Sequence, residues 1–271
     1  MIKNGKVRRV EDIGNGLLLL SASNRLSAFD RYICEINNKG TMLNTMSSWW
    51  FENTKHIINN HLIHSDNEDM VVRKTEPILL EVVVRGYMTG ESETSIWSMY
   101  KNGSREMYGI NFRDGYQKNE ILDSTIITIT TKGDKDIPIT QQEIIEQGYV
   151  SSEEYDFIVQ SSLQLFSYGQ KIASEKGFLL VDTKYEFGRL DGKIILIDEL
   201  HTCDSSRFWL KESYQKRFKK GLEPDKLDKD CVRDWIKSQC NPYIDEIPNV
   251  PDSIQKKVEE VYKIYVQKLT S

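Results

Sequence analysis

The densest run of residues able to do chemistry is FLLVDTKYEFG, residues 178–188, in which Asp182, Lys184 and Glu186 fall two apart. Side chains two apart on a strand share a face. A strand opening on four apolar residues would thus present two carboxylates and an ammonium together. An amphipathic edge strand has the same pattern. Asp198 and Glu199 close a second apolar run, Lys193–Glu199, beyond the turn Leu190-Asp191-Gly192. Acids gathered around one lysine suit a divalent ion that carries phosphates, because magnesium takes few carboxylates together with phosphate oxygens. A two-residue loop at Asp191-Gly192 puts Glu199 opposite Lys184, and a three-residue loop puts Asp198 there. Both registers are open on sequence alone.

Other motifs are less specific. Gly5-Lys6-Val7-Arg8 lacks the spacing of a Walker loop or a G-x-G-x-x-G fingerprint, and a basic exposed strand accounts for it equally. Arg85-Gly86-Tyr87 ends an apolar strand, and Asp204-Ser205-Ser206-Arg207 sets an arginine beside two serines. Each arginine can fork onto a phosphate or a carboxylate, or form a structural salt bridge. The polar stretch from Ser23 to Asp30 follows a strand and reads as a cap or turn. His56, His61 and His64 are spaced five and three apart, which does not make a tidy chelate on a helix.

The elements that must position these groups follow from periodicity. Lys6–Val10 and Leu17–Ser21 read as strands joined by a Gly-rich turn over residues 11–16. A helix is expected from about Leu43 to Leu62, with Leu43, Met46, Trp50 and Ile57 on one face. Met70–Lys74 and Ile78–Tyr87 read as strands, the second apolar enough for the middle of a sheet. A short helix is expected near Ser95–Tyr100. Thr140 with Glu143, and Ser151 with Glu154, read as capping boxes that open helices, and Gly177 ends the second of these. Phe178–Phe187 and Lys193–Glu199 form a strand pair, and Pro251-Asp252 starts a last helix. Strands crowd the first third and helices the remainder, which predicts an α+β chain of two lobes.

Composition sets the outer bounds. The 271 residues are 39% hydrophobic and 28% charged, with 41 acidic against 36 basic side chains and a net charge of −5. That balance argues against a nucleic-acid partner. No apolar run approaches the roughly 20 residues of a membrane helix, and the opening MIKNGKVRRV has no apolar block of a signal peptide. Cys34, Cys203, Cys231 and Cys240 form no C-x-x-C pair, so reduced thiols and a soluble cytoplasmic protein are expected.

Taken in order, the segments GKVRRV, NRLSAFDRYICEINNKGTMLN, SSWWF, LEVVVRGYMTG, TTKGDKDIPIT, LLVDTKYEFG, IILIDELHTCDSSRFW and DKDCVRDW resemble the SAICAR synthetase (phosphoribosylaminoimidazole-succinocarboxamide synthase) family. They run from residue 5 to about residue 235 in the family's order. DTKYEFG and DSSRFW are the most specific.

The resemblance implies a two-lobed α+β fold with an antiparallel kinase-like or ATP-grasp-like N-terminal lobe (residues 1–84) and a larger mixed C-terminal lobe (residues 85–271). It implies an ATP- and Mg2+-dependent ligase that joins carboxyaminoimidazole ribonucleotide to L-aspartate in purine synthesis, by way of an acyl phosphate. By the same resemblance, Lys6 and Arg8 lie over the ATP phosphates, and Glu81 with Val83 sits at the adenine hinge. Glu186 and Asp198 are the magnesium ligands, which asks for a three-residue or bulged hairpin loop. Asp182 and Lys184 lie beside the imidazole carboxylate and the transferred phosphoryl group. Arg85 and Arg207, with Ser205 and Ser206, hold the ribose phosphate, and Ser27, Asp30 and Lys39 belong to loops closing the substrate side.

Four positions depart from the family pattern. Glu91 stands where serine is usual, Lys135 in place of the first member of a His-Asp pair, Cys203 in place of proline and Asn24 in place of aspartate. Glu91 and Lys135 leave open a paralogous ligase for a different carboxylate, or a nucleotide-binding relative without turnover.

Overall fold

The computed structural model describes residues 2–4, 8–29, 31–92, 94–133, 136–227 and 229–271. The chain opens with β1 (Ile2–Asn4), β2 (Arg8–Gly14), β3 (Leu17–Ala22), the hairpin β4 (Arg25–Ala28) and β5 (Arg31–Glu35), α1 (Lys39–Asn53), β6 (Leu62–Asp66) and β7 (Asp69–Arg73). It continues through β8 (Glu76–Pro77), β9 (Leu80–Tyr87), α2 (Ile96–Lys101), β10 (Glu106–Met107), β11 (Ile110–Asn111), β12 (Ile121–Thr131), β13 (Ile137–Pro138), α3 (Gln141–Glu146) and α4 (Ser152–Glu175). Then come β14 (Phe178–Leu190), β15 (Lys193–Ile197), β16 (Ser206–Leu210), α5 (Lys211–Phe218), α6 (Asp230–Gln239) and α7 (Asp252–Thr270).

Two antiparallel sheets organise these elements. The first runs β1-β2-β3-β7-β6; the second runs β13-β12-β9-β14-β15, with β8 and β16 also paired to β14. The chain is α+β as its patterning predicts. The strands are less segregated than expected, because β12 and β14–β16 all lie beyond residue 120. β14 is 13 residues long, which lets one strand serve four neighbours. Its first half pairs with β9 and β16, its second with β15 and β8. One apolar core joins both sheets, from Leu20 and Val72 through Val82 and Tyr185 to Trp50 of α1 and Tyr265 of α7. The division expected between residues 84 and 85 falls inside β9.

Local chemistry decides several boundaries. Both capping boxes are present, opening α3 and α4. In the first hairpin the ladder continues through Glu11 and Asp12, and the turn is confined to Asn15-Gly16. Helix α1 begins at Lys39 and stops at Asn53, four residues earlier and nine earlier than periodicity predicts. Its start is pressed against β3: a Cβ on Gly40 would come 2.4 Å from the Ala22 carbonyl oxygen, so only glycine fits. Its end yields to the second sheet. Asn60 bridges Leu196, and the His61 amide donates to the Leu196 carbonyl at 3.1 Å, so residues of helical spacing are drawn into extended pairing instead.

Candidate active site

Sheet register builds the first half of the site. Asp182 of β14 is paired with Arg85 of β9 on one side and Arg207 of β16 on the other. The three side chains therefore stand in a row across adjacent strands, as cross-strand neighbours do. Arg207 Nη1 donates to Asp182 Oδ2 at 2.5 Å, and Arg85 Nη1 reaches the same oxygen at 3.5 Å while its Nε donates to Thr128 at 3.0 Å. Arg207 Nε also donates to Asp230 at 3.2 Å, and Asp230 accepts from Arg233 at 2.8 Å. Burial pushes the Asp230 carboxyl up, but Arg207 and Arg233 outweigh it and hold the group below the usual carboxylate range.

Two residues along β14, Lys184 donates to Glu186 and, at 3.2 Å, to Asp198, with Glu81 at 3.8 Å. Burial disfavours the Lys184 ammonium, yet Asp198, Glu186 and Glu81 raise its pKa well above the ordinary lysine value. The same pairing, with Arg8 nearby, overcomes burial and keeps the Asp198 carboxyl low. Glu186 also accepts from Lys132.

The hairpin does not use the three-residue or bulged loop that an Asp198 ligand asked for. Leu190 pairs with Lys193 across the two-residue turn Asp191-Gly192, both at positive φ (50° and 72°), and the ladder runs without a slip to Glu186↔Ile197. Asp198 then leaves the ladder at φ 67°. That left-handed step, tolerated by aspartate better than by most residues, brings Asp198 to Lys184. Glu199 turns instead to Arg8 (3.1 Å) and the Thr202 hydroxyl (2.9 Å).

The turn after Asp198 forms the third wall. The Thr202 hydroxyl accepts from the Asp204 and Ser205 amides at 3.2 and 3.1 Å. Asp204 accepts from Lys39 of α1 at 2.6 Å and from the Tyr262 hydroxyl of α7 at 2.7 Å. Burial acts against the Asp204 charge, but Lys229 and Lys39 hold its carboxyl below the usual range. Between these walls lies a cavity of about 260 Å³, lined by Glu81, Val83, Arg85, Asp182, Lys184, Asp204, Ser205, Ser206, Arg207, Lys229 and Arg233, among others. Larger hollows, such as the 470 Å³ one beside Lys55 and Ile194, gather no comparable set of charges.

The cavity thus joins most of the residues singled out in the sequence: Asp182, Lys184, Glu81, Val83, Arg85, Ser205, Ser206 and Arg207. Glu186 and Asp198 adjoin it through Lys184. Arg8 is beside the site, but its guanidinium is engaged by the Asp198 carbonyl and the Glu199 carboxylate. Lys39 is not on a closing loop: it is the first residue of α1, fully buried under Asp204. Ser27 sits on β4 opposite Tyr32, outside the cavity lining. Lys6, Asp30 and Lys135 lie outside the described residues.

Glu91 does not face the cavity. Lys118 (2.7 Å) and Lys237 bind it, and these hydrogen bonds overcome burial to hold its pKa at about 2. Ser92 and Ser95 line the cavity in its place. Sequence reasoning missed Lys132, Asp204, Lys229, Asp230 and Arg233. All five lie in TTKGDKD, DSSRFW or DKDCVRDW, but isolated charges in loops or at the start of a helix carry no periodicity by which to choose among them.

Among the described residues no cluster of three or more His, Cys, Asp or Glu is placed to hold a metal. Two carboxylates, Glu186 and Asp198, converge on one ammonium. A two-carboxylate donor set fits a magnesium ion that takes its remaining ligands from phosphates and water; it does not fit a dedicated protein cage.

Residues 1–250 match the family model described as SAICAR synthetase. The chain belongs to the SAICAR synthetase family. It is 46% identical over 270 residues to the chloroplastic phosphoribosylaminoimidazole-succinocarboxamide synthase of Arabidopsis thaliana, covering 98% of this chain and 66% of that protein. It is 44% identical over 266 residues to the corresponding synthase of Legionella pneumophila (strain Paris), covering 97% and 84%. The solved SAICAR synthase of Saccharomyces cerevisiae, in complex with SAICAR, superposes with a TM-score of 0.85 at 28% identity, covering 100% of this chain and 94% of that one. The α+β fold with antiparallel sheets is that of these SAICAR synthases. No helix among the described residues is long and apolar enough to cross a membrane.

Proposed function

We propose that the chain is a carbon–nitrogen ligase that joins the carboxylate of carboxyaminoimidazole ribonucleotide to the amine of L-aspartate, converting ATP to ADP and phosphate in purine synthesis. The observation that carries this reading is the pair of charge rows on neighbouring positions of β14. Arg85–Asp182–Arg207 adjoins Lys184–Glu186–Asp198 at one cavity.

A carboxylate is a poor electrophile. Its oxygen attacks the γ-phosphorus of ATP, ADP leaves, and the resulting acyl phosphate is attacked by the aspartate amine with loss of phosphate. Catalysis of such a transfer is chiefly positioning and charge neutralisation, so no protein nucleophile is needed. Arg85 and Arg207, with Ser205 and Ser206, bind the ribose phosphate. Lys184 stands beside the transferred group, and Asp182 orients the two arginines. Glu81 and Val83 face the nucleotide, and the family resemblance gives its phosphates to Lys6, which lies outside the described residues. Glu186 and Asp198 would hold magnesium, which when bound neutralises nucleotide phosphate charge. Residues 1–84 serve the nucleotide and residues 85–271 the substrate and metal, the two meeting along β9. Glu91, bound by two lysines, puts no unpaired negative charge into the acceptor site, which favours this ligase over a relative for another carboxylate.

The test is direct. Purified protein with the ribonucleotide, aspartate and Mg-ATP should release ADP in a one-to-one ratio with the succinocarboxamide. ADP release without that product, or no ADP release, overturns the reading.

A further inference from the structure

Two adjacent carboxylates compete for one place in this site. The hairpin ladder ends at Glu186↔Ile197, and if it simply continued, Glu199 would come opposite Lys184. Asp198 takes that place only because its backbone turns to φ 67°, a conformation that non-glycine residues rarely adopt without support.

His61 meets the Asp198 backbone from one side, and further support comes from the far end of the chain. Arg8 Nη1 donates to the Asp198 carbonyl at 3.0 Å, and Arg8 Nη2 donates to the Glu199 carboxylate at 3.1 Å. One planar fork thus grips both halves of the turn, a geometry that a lysine cannot supply. The pair is largely buried, at 9% and 13% side-chain exposure. The Thr202 hydroxyl donates to the same Glu199 oxygen at 2.9 Å and fixes the carboxylate from the other side. Arg8 is itself anchored in the first sheet, where β2 pairs it with Ala22 of β3.

Resting on the metal assignment proposed above, we propose that Arg8 is a positioning residue that selects which carboxylate joins Glu186. By holding the Asp198 carbonyl and sequestering Glu199, it presents Asp198 to the metal side and keeps Glu199 out. Without the fork, the turn relaxes toward the ladder and the two acids exchange places. Arg8 would then act on the metal through Asp198 and not by touching the nucleotide's phosphates.

The experiment uses the full chain, with Mn2+ as the probe. Free Mn2+ is followed by electron paramagnetic resonance in titrations with ADP present, and ADP binding is measured separately without metal by calorimetry. Arg8→Gln should weaken Mn2+ by roughly tenfold or more, as loss of an orienting partner does, and change metal-free ADP affinity less than about twofold. Arg8→Lys should fall between the two, and Asp198→Asn should match Arg8→Gln. Unchanged Mn2+ affinity in Arg8→Gln overturns the inference. Equal loss of ADP affinity with and without metal also overturns it, by making Arg8 a direct phosphate contact. In either case the functional reading survives. Wild-type protein that binds no Mn–ADP would overturn the functional reading and this inference with it. Should Arg8→Gln fail to fold, Arg8→Lys, which keeps the charge but not the planar fork, must weaken Mn2+ in the same direction, and no change there overturns the proposal.

Discussion

The two charge rows on β14 lie two residues apart but are built differently. Arg85, Asp182 and Arg207 are set by strand pairing: β14 is hydrogen-bonded to β9 on one side and to β16 on the other, and Asp182 meets Arg207 just past a register shift after Leu180. The row around Lys184 depends on a turn, because Asp198 reaches it only through a left-handed residue held by an arginine 190 positions away. A ladder-built row is rigid because many backbone bonds must break before it shifts. A turn-built row can be rearranged by losing one or two side-chain contacts, and its geometry can therefore be tuned from outside.

The largest effect expected from breaking this contrast is at Lys184, where the rows meet. Lys184→Met should lower kcat by roughly 10²–10³-fold, the cost of removing one preorganised charge from a transition state. ADP release under saturating substrates measures it, and a kcat within a few-fold of wild type would remove Lys184 from the chemistry. Asp182→Asn should show the rigidity of the ladder row as stability. It leaves Arg85 and Arg207 beside a neutral group in a buried site, at a cost of about 3 kcal/mol in urea unfolding. A cost below about 1 kcal/mol would mean that the row is held by something else.

Acid should separate the rows further. Burial holds His61 at about 4 and His201 at about 3, both below the 6.5 of a free imidazole. His61 docks on Leu196 ahead of the Asp198 turn, and His201 follows it. As pH falls, the unfolded chain binds protons before the folded one does. Stability present above pH 6.5 is therefore lost between pH 6.5 and about 4, by about 3 kcal/mol for His61 alone. Melting temperatures across that range should fall in wild type and fall less steeply in His61→Gln; equal slopes would contradict the assignment. The smallest effect belongs to Glu91→Gln. Its half-exposed pairs with Lys118 and Lys237 are surface ion pairs worth about 1 kcal/mol or less. The KM for the ribonucleotide should change by less than about twofold, and a large rise would place Glu91 in the acceptor site after all.

What was legible in the sequence follows the same division. Alternation along FLLVDTKYEFG puts Asp182, Lys184 and Glu186 on one face, because strand geometry is local. The capping boxes at Thr140 and Ser151 are likewise complete within four residues. The sign of φ at Asp198 is not written in any local pattern: the two-residue loop, one of the two registers open on sequence, is the one formed, yet Asp198 and not Glu199 reaches Lys184. The early end of α1 depends on Leu196, and the burial of Lys39 depends on Asp204, 165 positions away. Lys132, Lys229 and Arg233 enter the site from loops or the first turn of a helix, where one charged residue looks like any other until the chain is folded.

The most direct test of the two-row account is a crossed binding measurement on Arg207→Met and Asp198→Asn, using the carboxyaminoimidazole ribonucleotide and Mn–ADP as separate ligands. The account predicts that Arg207→Met weakens the ribonucleotide about tenfold or more and leaves Mn–ADP within about twofold, and that Asp198→Asn does the reverse. Both variants weakening both ligands to the same degree would contradict it.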